Sequence, residues 1–216
     1  MKRGAALALM VAAACAGKPA TPVPVDSAQV AGPVRMRGTL LARDSSLLLV
    51  ACGTTVERPV RALPTSQLLD ALMLVTAGRR DSMFVEFIAD TAGGTLVARE
   101  ALFASALSDG SRCDQPRGVF EIEALGTEPY WHVTLDGTEL VLERPEGPLE
   151  MVFVADTPVT RGTLTTIKAH RHEGRVRDLT FGLLRTDCRD GMSDSWYPWR
   201  AEVRFGATAL HGCARR

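Results

Sequence analysis

The chain has 216 residues, 46% of them hydrophobic, which is enough for one large domain or two small ones and excludes a disordered polypeptide beyond the N-terminal tail. Lys plus Arg (25) balances Asp plus Glu (25), so no whole-molecule field gathers polyanions, and a nucleic-acid partner is disfavoured. Met1-Lys2-Arg3 then opens the chain as a short basic region, followed by an uncharged run of Ala, Leu, Met and Val from Gly4 to Ala14. As a helix that run is roughly 16 Å long at about 1.5 Å per residue, half of a bilayer core of about 30 Å, so it reads as a cleaved secretory signal over residues 1–14.

The end of that run, Ala12-Ala13-Ala14-Cys15, resembles a bacterial lipobox. The resemblance implies diacylglyceryl transfer to the Cys15 thiol, a mature chain that starts there, and attachment to a membrane through the lipid. Ala16 stands where that pattern has Asp in proteins retained at the inner membrane, which implies the outer membrane and a periplasmic orientation. Residues 15–33 continue in Pro, Ala, Thr, Val, Ser and Gly without apolar periodicity and read as a flexible tether.

With Cys15 assigned to lipid, Cys52, Cys113, Cys188 and Cys213 remain, an even number that suits an oxidising compartment. Three pairings are possible. Cys52 with Cys113 and Cys188 with Cys213 is favoured because each pair then falls inside one of two segments. No C-x-x-C or C-x-x-H spacing supports a metal site instead.

The first segment, 34–115, is strand-rich with one helix. Val34 to Ala42 and Ser46 to Cys52 read as strands around the turn Arg43-Asp44-Ser45, with Val56 to Ala62 as a third. From Pro64 to Ala77 the period changes and places Leu68, Leu69, Leu72, Met73 and Thr76 on one helical face, ending at Gly78. Strands resume at Ser82 to Ala89, Gly94 to Arg99 and Leu102 to Ala106. Three strands, a helix and two or three strands is the order of an OB-like barrel. Phe84, Phe87 and Phe103 read as core residues and not as a base-stacking platform, since the segment lacks Tyr and Trp.

The second segment, 118–216, is almost wholly strand and turn. Phe120 to Ala124, Tyr130 to Leu135 and Thr138 to Glu143 lead the series, the last two joined by Asp136-Gly137, a strong hairpin signal. Leu149 to Ala155, Gly162 to His172, Arg175 to Leu184, Arg200 to Phe205 and Thr208 to Gly212 follow, with Glu173-Gly174 as a second hairpin turn. The fold class is mainly β, in two small barrel-like domains. The N-terminal one is OB-like with one helix, and the C-terminal one is an antiparallel meander of about eight strands closing on itself.

Three stretches of this segment carry a resemblance: Ala124-Leu-Gly-Thr-Glu-Pro-Tyr-Trp131, Cys188-Arg-Asp-Gly-Met-Ser-Asp-Ser-Trp-Tyr-Pro198 and Gly212-Cys213-Ala214. They resemble a largely uncharacterised family of bacterial envelope proteins, often lipoproteins, with the motifs G-x-E-P-[FY]-W, C-x-D-G-M-S-D-x-x-Y-P and a terminal G-C-A. The C-terminal architecture is also somewhat similar to the META-type β-barrel. The resemblance implies compartment and fold, and no activity.

Physically, Glu128-Pro129 biases the chain to extended geometry before Trp131, which fills the barrel while its indole N–H seeks an acceptor. Asp190 and Asp194 suit a long self-bonded loop that a Cys188–Cys213 bridge pins beside the last strand. Such a loop presents a candidate binding surface of Asp190, Asp194, Trp196, Tyr197 and Trp199, with Glu128 and Trp131 nearby, because exposed aromatics are costly without a partner. The partner is an envelope protein or a small ligand. His170 and His172 share a strand face beside Lys168, with His132 further off, and support only a secondary metal-handling or envelope-stress reading. The carboxylates Asp190 and Asp194 support, more weakly, an envelope hydrolase. No nucleophile motif, zinc-protease motif or Gly-rich phosphate loop is present, so neither an enzyme nor a cofactor is expected.

Overall fold

The computed structural model describes residues 32–79, 81–107, 112–114, 120–146, 149–171, 177–189 and 194–216. The signal, Cys15 and nearly all of the tether lie outside these residues, as do Asp190, His172 and the Glu173-Gly174 turn. Among the described residues no helix is long and apolar enough to cross a membrane.

The chain is mainly β. In the first segment β1 (Val34–Arg43), β2 (Ser46–Ala51) and β3 (Glu57–Ala62) are followed by a 3₁₀ turn at Pro64–Ser66, helix α1 (Leu68–Val75), β4 (Met83–Ala92) and β5 (Thr95–Ala106). β1 pairs with β2 and with β4, β2 with β3, and β4 with β5, all antiparallel, while β3 runs parallel to β5. The five pairings run around a ring. Leu40, Leu49, Met83, Val85, Phe87 and Leu96 turn inward, and α1 lays Leu68, Ala71, Leu72 and Val75 onto the same core.

The two strands expected at Gly94 to Arg99 and Leu102 to Ala106 are one strand. β5 absorbs Arg99 and Leu102 as extra residues opposite β4, where the pairing shifts between Ile88 and Ala89 and between Glu86 and Phe87. Such bulges bend a strand without ending it. The helix also differs from expectation. Leu69 and Met73 are 49% and 45% exposed, since the core-facing stripe runs through Leu68, Ala71, Leu72 and Val75, one step round from the predicted face.

The second segment carries β6 (Ile122–Thr127), β7 (Tyr130–Asp136), β8 (Glu139–Glu143), β9 (Glu150–Ala155), β10 (Val159–Arg161), β11 (Leu164–His170), β12 (Asp178–Arg189), β13 (Ser195–Phe205) and β14 (Thr208–Arg215). β6, β7, β8, β9, β11, β12, β13 and β14 pair in that order and β14 returns to β6, closing an eight-strand antiparallel barrel. Sequence reading missed β10. It pairs with the start of β11 where β9 leaves off, so β9 and β10 act as one bent strand around residues 156–158. All three residues of β10 are exposed, and without an alternating pattern nothing marked it.

Both expected disulfides are present. Cys52 joins Cys113 across 61 residues and Cys188 joins Cys213 across 25. Loops of those lengths correspond to about 4 and 3.5 kcal/mol in the chain-entropy account. The second bridge joins strands on either side of β13, which would normally lie roughly 9.5 Å apart, yet its Cα atoms are 5.6 Å apart. A one-residue bulge in β12 between Arg185 and Cys188, together with the departure of β13 toward β5, lets the two strands converge.

That departure links the segments. Ser195 and Trp196 pair with Ser105 and Ala104 of β5, so a single hydrogen-bonded sheet runs through both barrels. Between them lies a small third cluster in which Phe84, Phe103 and Tyr197 pack with both disulfides. Arg112 and Arg215 sit over the Phe103 ring at 5.2 and 4.7 Å.

Candidate functional site

Trp131 is the largest fully buried side chain in the core of the eight-strand barrel. Its indole N–H donates to the His211 carbonyl oxygen at 3.2 Å, supplying the acceptor that burial requires. The ring lies against Gly126 and Gly212. A Cβ on either would collide with the ring, on Gly126 also with the His211 carbonyl, and on Gly212 with the Leu125 carbonyl. The two glycines of G-x-E-P-Y-W and G-C-A are thus one device, a slot for the tryptophan. Glu128-Pro129, expected to be extended, is instead a cis peptide in the turn between β6 and β7.

On the barrel wall beside that slot lies a cleft of about 450 Å³ that gathers side chains from four strands and one turn. Leu125 and Thr127 come from β6, Glu128 from the following turn, Arg189 from β12, Arg200 from β13 and His211 from β14. The Cys188–Cys213 bridge forms part of the floor. Strand register explains the convergence, since Arg200 stands opposite Cys213, and Cys213 opposite Leu125. Arg189 reaches Asp194 at 3.7 Å and His211 reaches Glu202 at 3.6 Å. The rim charges are all open to solvent.

Of the residues proposed from sequence as a binding surface, only Glu128 lines this cleft directly. Trp131 underlies it. Asp194 touches it through Arg189, and Asp190 is outside the described residues. Trp196, Tyr197 and Trp199 correct the sequence reading, because they stand in β13 and not on a loop. Trp196 is fully buried in the core of the first segment, and its indole N–H donates to Asp187 at 2.9 Å. Tyr197 is buried against Phe103 with ring centroids 5.2 Å apart. Trp199 is half-buried under the guanidinium groups of Arg185 and Arg216, both of which also contact Glu100 of β5. The aromatics are therefore spent on joining the two barrels. Arg189, Arg200 and His211 were missed, although each lies next to a motif residue or across from one.

His132 and His170 sit elsewhere. His132 projects outward from β7 between Glu143 at 3.2 Å and Glu123 at 3.1 Å, and Arg215 reaches Glu123 at 2.7 Å. The hydrogen bond with His132, reinforced by Arg215, draws the Glu123 carboxyl down to about 2. The same bond with Glu123, then that with Glu143, holds the His132 imidazole above its ordinary value. His170 faces Asp156 at 3.8 Å. Among the described residues no three His, Cys, Asp or Glu side chains gather in a way that would hold a metal ion.

Comparison of the chain with protein families, with curated proteins and with solved structures finds no match.

Proposed function

We propose that the protein is a lipid-anchored, non-enzymatic binding module of the cell envelope, held at the outer membrane through Cys15 and facing the periplasm. The observation that carries this reading is that Cys52, Cys113, Cys188 and Cys213 are all taken up in two bridges, the state an oxidising compartment maintains. The leader ending at Cys15 supplies the route there.

In this reading the first segment is an OB-like barrel. The ring order β1-β2-β3-β5-β4, with β3 parallel to β5 and the helix between β3 and β4, supports that assignment. The cleft that holds Glu128, Arg189, Arg200 and His211 is the surface for an envelope protein or a small ligand. Solvent-exposed charges on a shallow wall suit recognition more than catalysis, which relies on groups held away from water.

Two measurements test the reading separately. Labelled palmitate is expected on the chain in cells and is lost with Cys15→Ala; an unlabelled wild-type chain, or one whose leader is uncut, removes the anchor. Crosslinking in intact envelopes is expected to capture a partner that Arg200→Glu loses, and capture that Arg200→Glu leaves unchanged removes the cleft.

A further inference from the structure

Helix α1 sits off-centre on the end of the five-strand ring. It packs chiefly against β5, with further contacts to β4 and β13, where Trp196 enters the core. Its other flank stands away from the β1–β2 turn and β3, and the gap is a cavity of about 450 Å³. Leu72, Val60 and the half-buried Leu47 line its inner part. Leu69 and Met73, one helical turn apart, form the open helix wall. The cavity falls in the size range of small-molecule sites, which are mostly apolar with a few placed polar groups. Methionine adapts to ligands of varied shape.

Two charges stand at the lip. Arg61 comes from β3, and Asp44 from the turn after β1, where it adopts a φ of 52°. Among the described residues neither pairs with an opposite charge, whereas Arg43, the neighbour of Asp44 in the same turn, is taken up by Glu57 at 2.9 Å. An aliphatic pocket with one cation and one anion at its mouth complements a molecule with one hydrocarbon chain and a head bearing both signs.

We propose that this cavity binds a single-chain zwitterionic amphiphile of the lysophospholipid class, with its chain between α1 and Val60, its phosphate on Arg61 and its ammonium on Asp44. The site is independent of the lipid anchor and of the cleft on the eight-strand barrel, so its test neither assumes nor decides them.

Calorimetric titration of the chain from Ala16 onward, which carries neither the apolar leader nor the lipid and keeps every described residue, uses dodecylphosphocholine below its micellar concentration as the probe. Saturable binding at one site is expected, weakened about tenfold by Arg61→Glu, by Asp44→Lys and by Leu69→Lys combined with Met73→Lys, all at exposed positions that leave the core intact. Dodecyl sulfate, dodecyltrimethylammonium and dodecyl maltoside are expected to bind more weakly, and phosphocholine without a chain not to bind. Absence of saturable binding overturns the proposal, as does equal binding of all four detergents with no effect of the lip variants. Capture by phosphatidylcholine vesicles without monomer binding also overturns it, in favour of a membrane-docking face.

Discussion

The two barrels each bury one tryptophan completely, and they obtain it differently. The eight-strand barrel takes Trp131 from its own β7 and makes room for it with its own Gly126 and Gly212. The five-strand ring takes Trp196 from a strand of the other barrel and completes it with Asp187 of that barrel. The core of the eight-strand barrel is therefore built from its own strands, and the core of the five-strand ring is completed by a residue of its neighbour. A boundary drawn near residue 115 separates stretches of sequence, but it does not separate two independent cores.

Trp196→Ala tests this most severely. It opens a large cavity and leaves Asp187 without its indole donor, so a loss of about 3 to 5 kcal/mol is expected in denaturant unfolding. Amide exchange should localise the loosening to β1–β5 and α1, while β7–β9 stay protected. Uniform loosening of both barrels would mean that the cores are not distinct. Trp131→Ala, of similar size, is expected to show the reverse pattern.

A smaller effect probes the slot. Gly212→Ala should destabilise by about 1 to 3 kcal/mol, because the new methyl meets both the Trp131 ring and the Leu125 carbonyl. Trp131→Phe in the same chain should recover only part of the loss, since the backbone contact remains. Full recovery would show that the ring alone sets the requirement.

The smallest effect is electrostatic. Glu123 contributes stability that is fully present above its unfolded value of 4.5 and lost as the pH falls toward 2. His132 contributes stability that is fully present below 6.5 and lost as the pH rises through its raised folded value. Their combined contribution, about 1 kcal/mol after allowance for solvent, is thus greatest between pH 4.5 and 6.5. His132→Gln should flatten the pH dependence of unfolding above 6.5. An unchanged profile would assign that slope to other groups.

Much of the scaffold was legible in the residues. Asp136-Gly137 turns the hairpin it signals, with Gly137 at a φ of 57°. Trp131 was expected to fill the barrel, and it does, with Val133 and Leu135 buried on the same face of β7. The cysteine pairing followed from segment membership alone. The candidate site was less legible. Cys188 to Pro198 is dense in turn-forming residues and reads as a loop, yet β12 continues to Arg189 and β13 begins at Ser195. Strand pairing from β5 overrode local propensity there.

The sequence by itself determined that the chain is mainly β, where about half of its strands begin and end, which cysteines bridge, and that Trp131 turns inward. The strands and the inward turn of Trp131 rest on contacts between near neighbours or on the two-residue period of a strand, and the bridges rest on an even number of cysteines divided between two segments, all of which is written along the chain. Only the tertiary structure decided that Trp196 belongs to the other barrel, that Gly126 and Gly212 flank one ring, and that α1 stands away from β3. A strand's period tells which face a side chain takes, but what lies across that face depends on residues tens of positions away.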